Sequence, residues 1–470
     1  MSSFDSQSAR TDRVDGSNTV EIPQMIEWIC HPFFLPAKAL WDAIQAAEPK
    51  LAITFDAKIP SKDSQIEMFN PFNLERFTQL FWDRWYFNCP ILHRPSFDIS
   101  TARIETIFVL ALTGALMSSN TEDLKNARSW LDIVEIVFQH PLLSGPKTNS
   151  GSQDSEGSLH ERLDIIQSGL MICVLQNWEG SDAAQTRIRR QRFSAIVFAS
   201  RDLGFERARH GDDLDLNRNQ MDWSAFIFNE ELIRQAHLAV LILACLTNFS
   251  HARTLTFVFL LDTEFTIFHN VPPRISISEL EMGFSCSEPC FMAQNPQEFL
   301  ERTRTTHPDY FRIKDFLVCD VIATLCFDHK DSDDVPTKLF GLTALNLFAT
   351  VSAIHSIIFS QCTSLCLFPS TQSLLRKGLE TWLKVWEMRL QISSNDMPLN
   401  FGGQVGEEPT NGVDGIARHA REFQTLALVK LSSFQESSQS FTDGSTIGPR
   451  TTVPRLGDVA ELVLRPAFID

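Results

Sequence analysis

The chain reads, from Met68 to Phe97, MFNPFNLERFTQLFWDRWYFNCPILHRPSF. In its first half, apolar side chains recur at the i, i+3, i+4, i+8 spacing of one helix face, namely Phe77, Leu80, Phe81 and Trp85. Pro90 and Pro95 then predict the end of this helix and a short, extended, apolar connector, because proline cannot continue a helix and restricts the residue before it. The stretch contains no catalytic constellation and predicts a packed helix followed by a connector.

Helical periodicity dominates the rest of the chain. Residues 104–116 place apolar side chains on one face over three turns, and residues 124–138 repeat the pattern up to Pro141. Residues 375–390 alternate an apolar face with one rich in Arg, Lys and Glu. Strand-like alternation is scarce, and no strand–helix alternation indicates a parallel sheet. We therefore predict an all-α, multi-helix domain.

Composition limits the function classes. The chain has 470 residues, and its 41 Lys and Arg against 58 Asp and Glu give a net charge of −17, which disfavours broad contact with nucleic acid. Its ten cysteines are scattered and include no Cys-x-x-Cys, so reduced intracellular thiols are expected. Residues 1–20 lack the apolar core of a secretory signal.

One stretch is apolar enough to consider as a membrane span. Residues 339–370 contain no formal charge, but a polar stripe at near-helical spacing crosses them: Thr343, Asn346, Thr350 and His355. A lipid-facing helix rarely keeps such a stripe, so a buried helix of a soluble protein is expected and no membrane partner.

Breaks in the helical pattern suggest the domain organisation. Residues 144–158 are rich in Gly and Ser and predict a loop. The expected units are a disordered N-terminus (1–20), a helical lead-in (21–65), a central domain (66–370), C-terminal helices (371–434) with a mobile insert (393–415), and a largely irregular tail (435–470).

The ordered motifs resemble a known family. The opening run ending in Cys89–Phe97 is similar to the start of the fungal-specific transcription factor domain, the regulatory middle region of fungal zinc-finger activators. Further matches follow in order: the helix at 166–180, the basic stretch ending Arg201-Asp202-Leu203-Gly204, Trp223, Asn229-Glu230-Glu231…Arg234, Leu261-Asp262, Asn270-Val271-Pro272-Pro273-Arg274-Ile275, Glu279-Leu280 and Cys286-Ser287-Glu288. The last elements are most like the subgroup with Cys-Cys-His-His fingers. The resemblance implies a non-enzymatic regulator in the nucleus.

The zinc module of that family is the main departure. Residues 1–65 contain only Cys30 and His31 as candidate ligands, and two adjacent ligands cannot close a tetrahedral zinc site. Downstream, Cys286/Cys290 has no histidine in helical register, and Cys362/Cys366 lies in an apolar run that resembles a core. We expect either a regulatory domain without its own DNA reader, or a missing upstream zinc-finger exon, or action through a partner.

A basic cluster allows two interpretations. Arg187, Arg189, Arg190 and Arg192 suggest an import or phosphate-binding patch, or simply a helix surface. On an ideal helix Arg189 and Arg192 lie beside the apolar arc, whereas Arg187, Arg190 and Arg201 lie opposite it. We predict that Arg189 and Arg192 pair with acids, with Glu230 or Glu231 as first candidates, and that the other three arginines are solvated.

Other reactive-looking residues favour structural interpretations. His93 and Arg94 lie between two prolines without a nucleophile and its acid–base partner, so a hydrogen-bonding role is expected. Asp328-His329-Lys330-Asp331 lacks the ligand spacing and turn glycine of a cation loop. Phosphate-loop, hydrolase and zinc-protease motifs are also missing. We predict no catalytic residues, cofactor or metal.

Two functions from different classes remain. The first is a nuclear regulator of a fungal pathway or gene cluster, such as one of secondary metabolism. It would reach promoter DNA only weakly or indirectly, and would bind proteins of the transcription machinery, a DNA-binding co-regulator or a small-molecule effector. The second is a specialised-metabolism enzyme or ligand-binding protein on the same helical scaffold, since a fold does not determine a function.

Overall fold

The structure is a computed structural model that describes residues 22–54, 60–137, 156–210, 221–237, 258–306, 308–309, 313, 315–327, 334–363, 369–393, 417 and 419–442. Within these ranges the backbone forms helices, turns and short connecting segments and contains no strand. The prediction of an all-α, multi-helix fold is therefore confirmed.

The first half of the chain forms ten described α-helices. They are α1 (Ile22–Ile29), α2 (Phe34–Thr54), α3 (Lys62–Met68), α4 (Pro71–Leu80), α5 (Ile104–Leu116), α6 (Thr121–Ser129), α7 (Leu131–Val137), α8 (Glu156–Glu179), α9 (Asp182–Arg187) and α10 (Phe193–Asp202). Two π-helical turns lie among them, at Phe81–Trp85 and Ile188–Arg192, together with three-residue 3-10 turns at Tyr86–Asn88, Arg94–Ser96 and Phe205–Arg207.

The second half adds the described helices α11 (Trp223–His237), α12 (Val258–His269), α13 (Glu288–Phe291), α14 (Pro296–Thr306), α15 (Val318–Phe327), α16 (Val335–Leu339), α17 (Ala344–Thr363), α18 (Pro369–Ser393) and α19 (Ala420–Thr442). A 3-10 turn at Ile277–Glu279 precedes α13. Helix α5 packs on α4 and α8, while α17 contacts α12, α18 and α19. One apolar core cluster contains buried side chains from most of these helices, including α2, α5, α8, α12, α17 and α19.

The opening stretch is a helix that changes pitch. The Asn70 side chain caps α4 by accepting the Asn73 amide at 2.9 Å, and Pro71 occupies the first turn, where no backbone donor is needed. Instead of stopping at Leu80, the chain continues through the π turn at 81–85 and a 3-10 turn before Pro90. The wider turn buries Trp82 and Tyr86 in addition to the predicted Phe77, Phe81 and Trp85.

Helices α4 and α5 approach each other closely at Gly114. A Cβ atom at this position would overlap the backbone carbonyl of Phe77, which cannot move without displacing α4. Phe77 and the neighbouring Phe108 and Phe81 are fully buried, so this contact lies inside the N-terminal core. Only glycine fits here.

Two helices end at residues that tolerate the left-handed conformation. Gly204, the glycine of the Arg-x-Leu-Gly element, has φ +82° and closes α10 with a 2.8 Å bond from its amide to the Arg201 carbonyl. Asn270 has φ +54° directly after α12 and lies two residues before the Pro272-Pro273 pair. Asparagine is among the few other residues that adopt this conformation readily. Both motif residues are thus explained by backbone geometry.

Helix α17 is long and apolar enough to cross a membrane, yet 78% of its most apolar window is buried inside the protein. Its polar stripe makes specific internal bonds. Asn346 pairs with Ser285, Thr350 accepts the Trp382 indole N–H at 3.0 Å, and the His355 ring bonds the Phe423 carbonyl at 2.9 Å. The prediction of a buried helix is confirmed.

The predicted segment boundaries agree only in part with the helices of the structure. Helices α1 and α2 lie in the predicted lead-in, and residues 104–116 form α5 as predicted. The helix predicted over 124–138 is broken at Trp130 into α6 and α7. The last helix continues to Thr442, past the predicted start of the tail. Residues 1–20, 144–155, 394–415 and 443–470 lie outside the described residues.

Substituting Gly114 by alanine should destabilise the protein. Alanine is normally better in a helix by about 0.5–1 kcal/mol, but here its methyl group meets the Phe77 carbonyl, and overpacking costs about 1–3 kcal/mol. We expect a lower melting temperature in thermal unfolding followed by circular dichroism.

The matched control is Gln45→Ala, an exposed substitution on α2 that should change the unfolding free energy by less than about 0.5 kcal/mol. A Gly114→Ala protein as stable as the wild type would show that α4 and α5 do not approach as closely as described.

Candidate functional site

The signature motifs of the second half meet at the side chain of Arg234. This fully buried guanidinium on α11 bonds Glu230 Oε1, Glu288 Oε1 and the Cys286 carbonyl, each at 2.7 Å. It also lies 3.9 Å from the centre of the Phe291 ring. The Asn-Glu-Glu…Arg and Cys-x-Glu motifs, separated by more than fifty residues, therefore form one ionic centre.

His210 completes this centre. The His210 Nε2 atom lies 2.8 Å from Glu230 Oε2. The other carboxylate oxygen, Glu230 Oε1, accepts both the Arg234 Nε–H and, at 3.0 Å, the Cys286 amide. Burial alone would raise the pKa of Glu230, but the Arg234 charge and the His210 bond outweigh it and lower the pKa to about 2. Glu230 is thus held as a carboxylate.

The connector of the opening stretch docks beside this centre. The His93 amide donates to Glu231 Oε1 at 2.7 Å, and the His93 ring bonds Ser96 Oγ at 2.8 Å and the Ala293 carbonyl at 3.1 Å. Burial lowers the pKa of His93 to about 4, so the ring is neutral at physiological pH. The expected hydrogen-bonding role of His93 agrees with these contacts.

A second set of hydrogen bonds and an ion pair joins the Leu261-Asp262 motif to the segment Asn270-Val271-Pro272-Pro273-Arg274-Ile275. Asp262 on α12 accepts the Arg274 amide at 2.6 Å, the Ile275 amide at 2.9 Å and the Arg274 guanidinium at 3.1 Å. Burial nevertheless raises the pKa of Asp262 above its usual value. The Arg274 guanidinium also donates to the Arg189 carbonyl and to Ser194 Oγ. The side chain of Arg274 therefore connects Asp262 with α10 and with the π turn that precedes it.

The basic cluster differs from the prediction in its partners. Arg192 does pair with an acid, but the acid is Glu135 on α7, at 2.8 Å, and not Glu230 or Glu231. Arg187, predicted to be solvated, binds the same Glu135 at 2.6 Å and Asp132 at 3.2 Å. Glu135 is only 4% exposed, so the pairing neutralises a buried carboxylate.

The other three arginines of this region agree with the prediction only in part. Arg189 lies inward as predicted, but its described bonds go to the amide oxygens of Asn177 and Gln185, at 2.8 and 3.0 Å. Arg201, predicted to be solvated, bonds Glu279 and the Arg274 carbonyl, both at 2.7 Å. Arg190 is exposed, as predicted.

The π turn at Ile188–Arg192 explains the inward position of Arg187, although not the partners of Arg201, which lies after it on α10. A π turn holds more residues than an α turn, so residues before it are rotated relative to those after it, and one helical wheel cannot describe both. Sequence reasoning also missed Glu135 and His210. A signal existed for Glu135, which follows Leu131 by four residues on an apolar helix face, but we find none for His210.

Candidate metal and thiol sites have ordinary surroundings. His31 contacts Glu75 at 3.4 Å and the Phe72 ring, while Cys30 is exposed. Among the described residues, no three His, Cys, Asp or Glu side chains converge in a way that could hold a metal ion. Residues 328–333 lie outside the described residues, as does Cys366. Burial raises the pKa of the Cys89 and Cys286 thiols well above the usual value, so both remain protonated.

Removing the guanidinium at the centre should be costly. Arg234→Ala leaves Glu230 buried without its main counter-charge, and breaking such a pair on one side costs about 3–5 kcal/mol. Because the folded-state pKa of Glu230 lies below its ordinary 4.5, its stabilising contribution is present above about pH 4.5 and is lost as the pH falls toward 2. Urea unfolding at pH 7 and pH 3 should show a loss that is larger at pH 7.

Arg207→Ala is the control, since Arg207 is 76% exposed and its nearest acid, Glu281, lies at 3.6 Å. This variant should behave like the wild type at both pH values. A similar small effect from Arg234→Ala would contradict the ionic centre.

The basic cluster yields a second comparison. Arg187→Ala and Arg192→Ala should each lower the free energy of unfolding by about 1–3 kcal/mol, since each removes a charged hydrogen bond from the buried Glu135. Arg190→Ala should change it by less than about 0.5 kcal/mol, because Arg190 is exposed. Chemical denaturation of the three variants provides the measurement. Equal effects of all three substitutions would favour the interpretation of the cluster as a surface patch.

Comparison with known proteins identifies the family of this chain. Residues 78–391 match the family described as the fungal specific transcription factor domain, against a predicted domain of 66–370. The chain is 30% identical over 379 residues to the transcription factor verF of Penicillium polonicum, covering 80% of this chain and 49% of that protein. The chain thus spans about half the length of this curated relative. No solved structure gives a significant match. With its motifs joined at Arg234 and Asp262, the chain belongs to the family of the fungal specific transcription factor domain.

Proposed function

We propose that this protein regulates transcription in the fungal nucleus through its helical domain. The observation that carries the proposal is the convergence of the family's signature motifs on the buried Arg234 centre, which belongs to the domain that matches over residues 78–391. The relative that covers 80% of this chain is itself named a transcription factor.

The charge of the chain supports action through proteins. A net charge of −17 repels the phosphate backbone of DNA, and the arginines of the basic cluster other than Arg190 are engaged with acids, amides or carbonyl groups of the same chain. The proposed partners are components of the transcription machinery or a co-regulator that itself binds DNA. Promoter DNA is then reached through them.

The proposal assigns no catalytic step to this chain. The buried histidines support it: burial lowers the pKa of His93 to about 4 and that of His355 to about 3, and each ring bonds a backbone carbonyl. Such imidazoles are locked in place and are poor proton carriers at neutral pH. The ionic groups at Arg234 hold backbone segments together in the same way.

A tethered reporter assay tests the proposal. Residues 1–470 are fused to an unrelated DNA-binding domain in a fungal host that carries its binding site upstream of a reporter gene. We expect reporter expression to change several-fold relative to the DNA-binding domain alone. The change should be lost in Arg234→Ala and kept in Arg207→Ala, with both fusions quantified by immunoblot.

Two results would overturn the proposal. One is an unchanged reporter combined with turnover of a small metabolite by the purified protein, which would favour an enzyme on this scaffold. The other is salt-resistant, site-specific DNA binding by residues 1–470 that a chelator abolishes, which would place a zinc-dependent reader within this chain.

A further inference from the structure

Most of the exposed large apolar side chains of the described residues lie where helices α1 and α2 meet. Seven such side chains are exposed in this part of the chain, and four of them lie here. They are Ile26 and Ile29 on α1, Leu35 in the first turn of α2 and Phe72 in the first turn of α4, with 58, 56, 73 and 47% of their surface exposed. We call these four residues the N-terminal corner.

Contacts on the inner side hold the N-terminal corner in place. Helix α1 packs on α2 through Trp28 and Trp41, whose ring centres are 6.1 Å apart. In the turn between the two helices, the His31 ring lies 4.5 Å from the Phe72 ring, and His31 Nε2 lies 3.4 Å from Glu75. These contacts join α1, α2 and the start of α4, so the four exposed side chains surround one turn of the chain.

The apolar area of the N-terminal corner is large enough for an interface between two copies of the chain. About half or more of each of four large side chains is exposed, which amounts to roughly 400–500 Å² and lies in the upper range of the largest apolar patch on a monomer. A standard interface buries about 800 Å² per partner, and somewhat more than half of this area is apolar. The corner therefore provides the apolar area that one side of such an interface needs.

The charges next to Leu35 are complementary to those of a second copy. Lys38 and Asp42 lie one turn apart on α2, 2.8 Å from each other, and are 56 and 62% exposed. A two-fold axis that passes between them places Lys38 of each copy against Asp42 of the other, so every charge keeps a partner of opposite sign. Glu75, a further acid at the corner, already faces His31.

The acidity of the chain limits the strength of such an association. The net charge of −17 opposes contact between two copies, and the exposed Glu27 on α1 adds to the repulsion locally. Repulsion between exposed charges is screened beyond about 8 Å at physiological ionic strength, whereas the burial of apolar surface is not. A reversible, concentration-dependent association is therefore expected.

We propose that the N-terminal corner is a homodimerisation surface, through which two copies of this chain associate about a two-fold axis. The four corner residues form the apolar centre of the interface, and Lys38 and Asp42 form ion pairs with the second copy. All of these residues precede the region 78–391 that matches the family model. The surface thus belongs to the N-terminal helices of this chain and not to the matched region.

Sedimentation equilibrium of the full chain over a wide range of concentrations tests the proposal. The wild type should show a monomer–dimer equilibrium. Leu35→Asp should weaken it at least about tenfold, because each dimer loses two buried leucine side chains and gains two buried charges. This variant should fold, because Leu35 is largely exposed and an acid in the first turn of α2 is favourable for the helix. The matched control is Phe198→Asp, at an exposed aromatic residue of α10, which packs on α8 and α12, and it should leave the equilibrium unchanged.

Charge reversal tests whether the contact is self-complementary. Lys38→Asp and Asp42→Lys should each weaken the dimer several-fold, because like charges then meet across the axis. A mixture of these two variant chains should form a heterodimer that is tighter than either homodimer. An effect confined to one chain cannot produce this result, so homodimers and heterodimer of equal strength would contradict the proposed ion pairs.

The exposed thiol of Cys30, in the turn between α1 and α2, reports on the N-terminal corner directly. Its labelling by a maleimide, measured by peptide mass spectrometry, should slow as the wild-type concentration rises and should not slow in Leu35→Asp. The proposal is wrong if the wild type stays monomeric throughout, or if Leu35→Asp dimerises as tightly as the wild type. Protection of Cys30 at every concentration would also overturn it, since another segment of the same chain would then cover the corner.

Discussion

The fold depends on neutralising one guanidinium that has no contact with water. Arg234 is 0% exposed, and an unpaired charge in such a place would be prohibitively unfavourable. Its three partners come from its own helix, from the Cys286 carbonyl and from the first residue of α13, so satisfying this charge determines where the segment after α12 must lie. His210 adds the segment after α10 to the same centre.

The signature acids share a second physical task. Segments between helices carry backbone amides without helical partners, and these amides must be satisfied when buried. Glu230 accepts the Cys286 amide, Glu231 the His93 amide, and Asp262 the amides of Arg274 and Ile275. Each acid thus anchors one irregular segment to a helix. This explains why acids, which are rare in protein cores, stand in the middle of apolar helices here.

Helix pitch changes decide which side chains face the core. The π turn at Phe81–Trp85 brings Trp82 and Tyr86 inward together with the expected aromatic residues, and the turn at Ile188–Arg192 directs Arg187 and Arg192 to one buried carboxylate. At the second turn, the buried Glu135 carboxylate is held inside the protein by partners more than 50 residues away in the sequence.

The sequence by itself determined the all-α class, the buried nature of α17 and the family, because helical periodicity and ordered motifs are local or nearly local signals. It also predicted that Arg187 and Arg190 of the basic cluster are solvated, which is correct for Arg190 and wrong for Arg187. Only the tertiary structure decided the partners: Glu135 for Arg192, Glu288 for Arg234, and the shared docking of Gln167 and Glu231 on the connector. A pair of residues separated by 50 or more positions leaves no periodic signal in the sequence, so the partners could not be predicted, and a π turn shifts the helix faces, so an ideal helical wheel placed Arg187 wrongly.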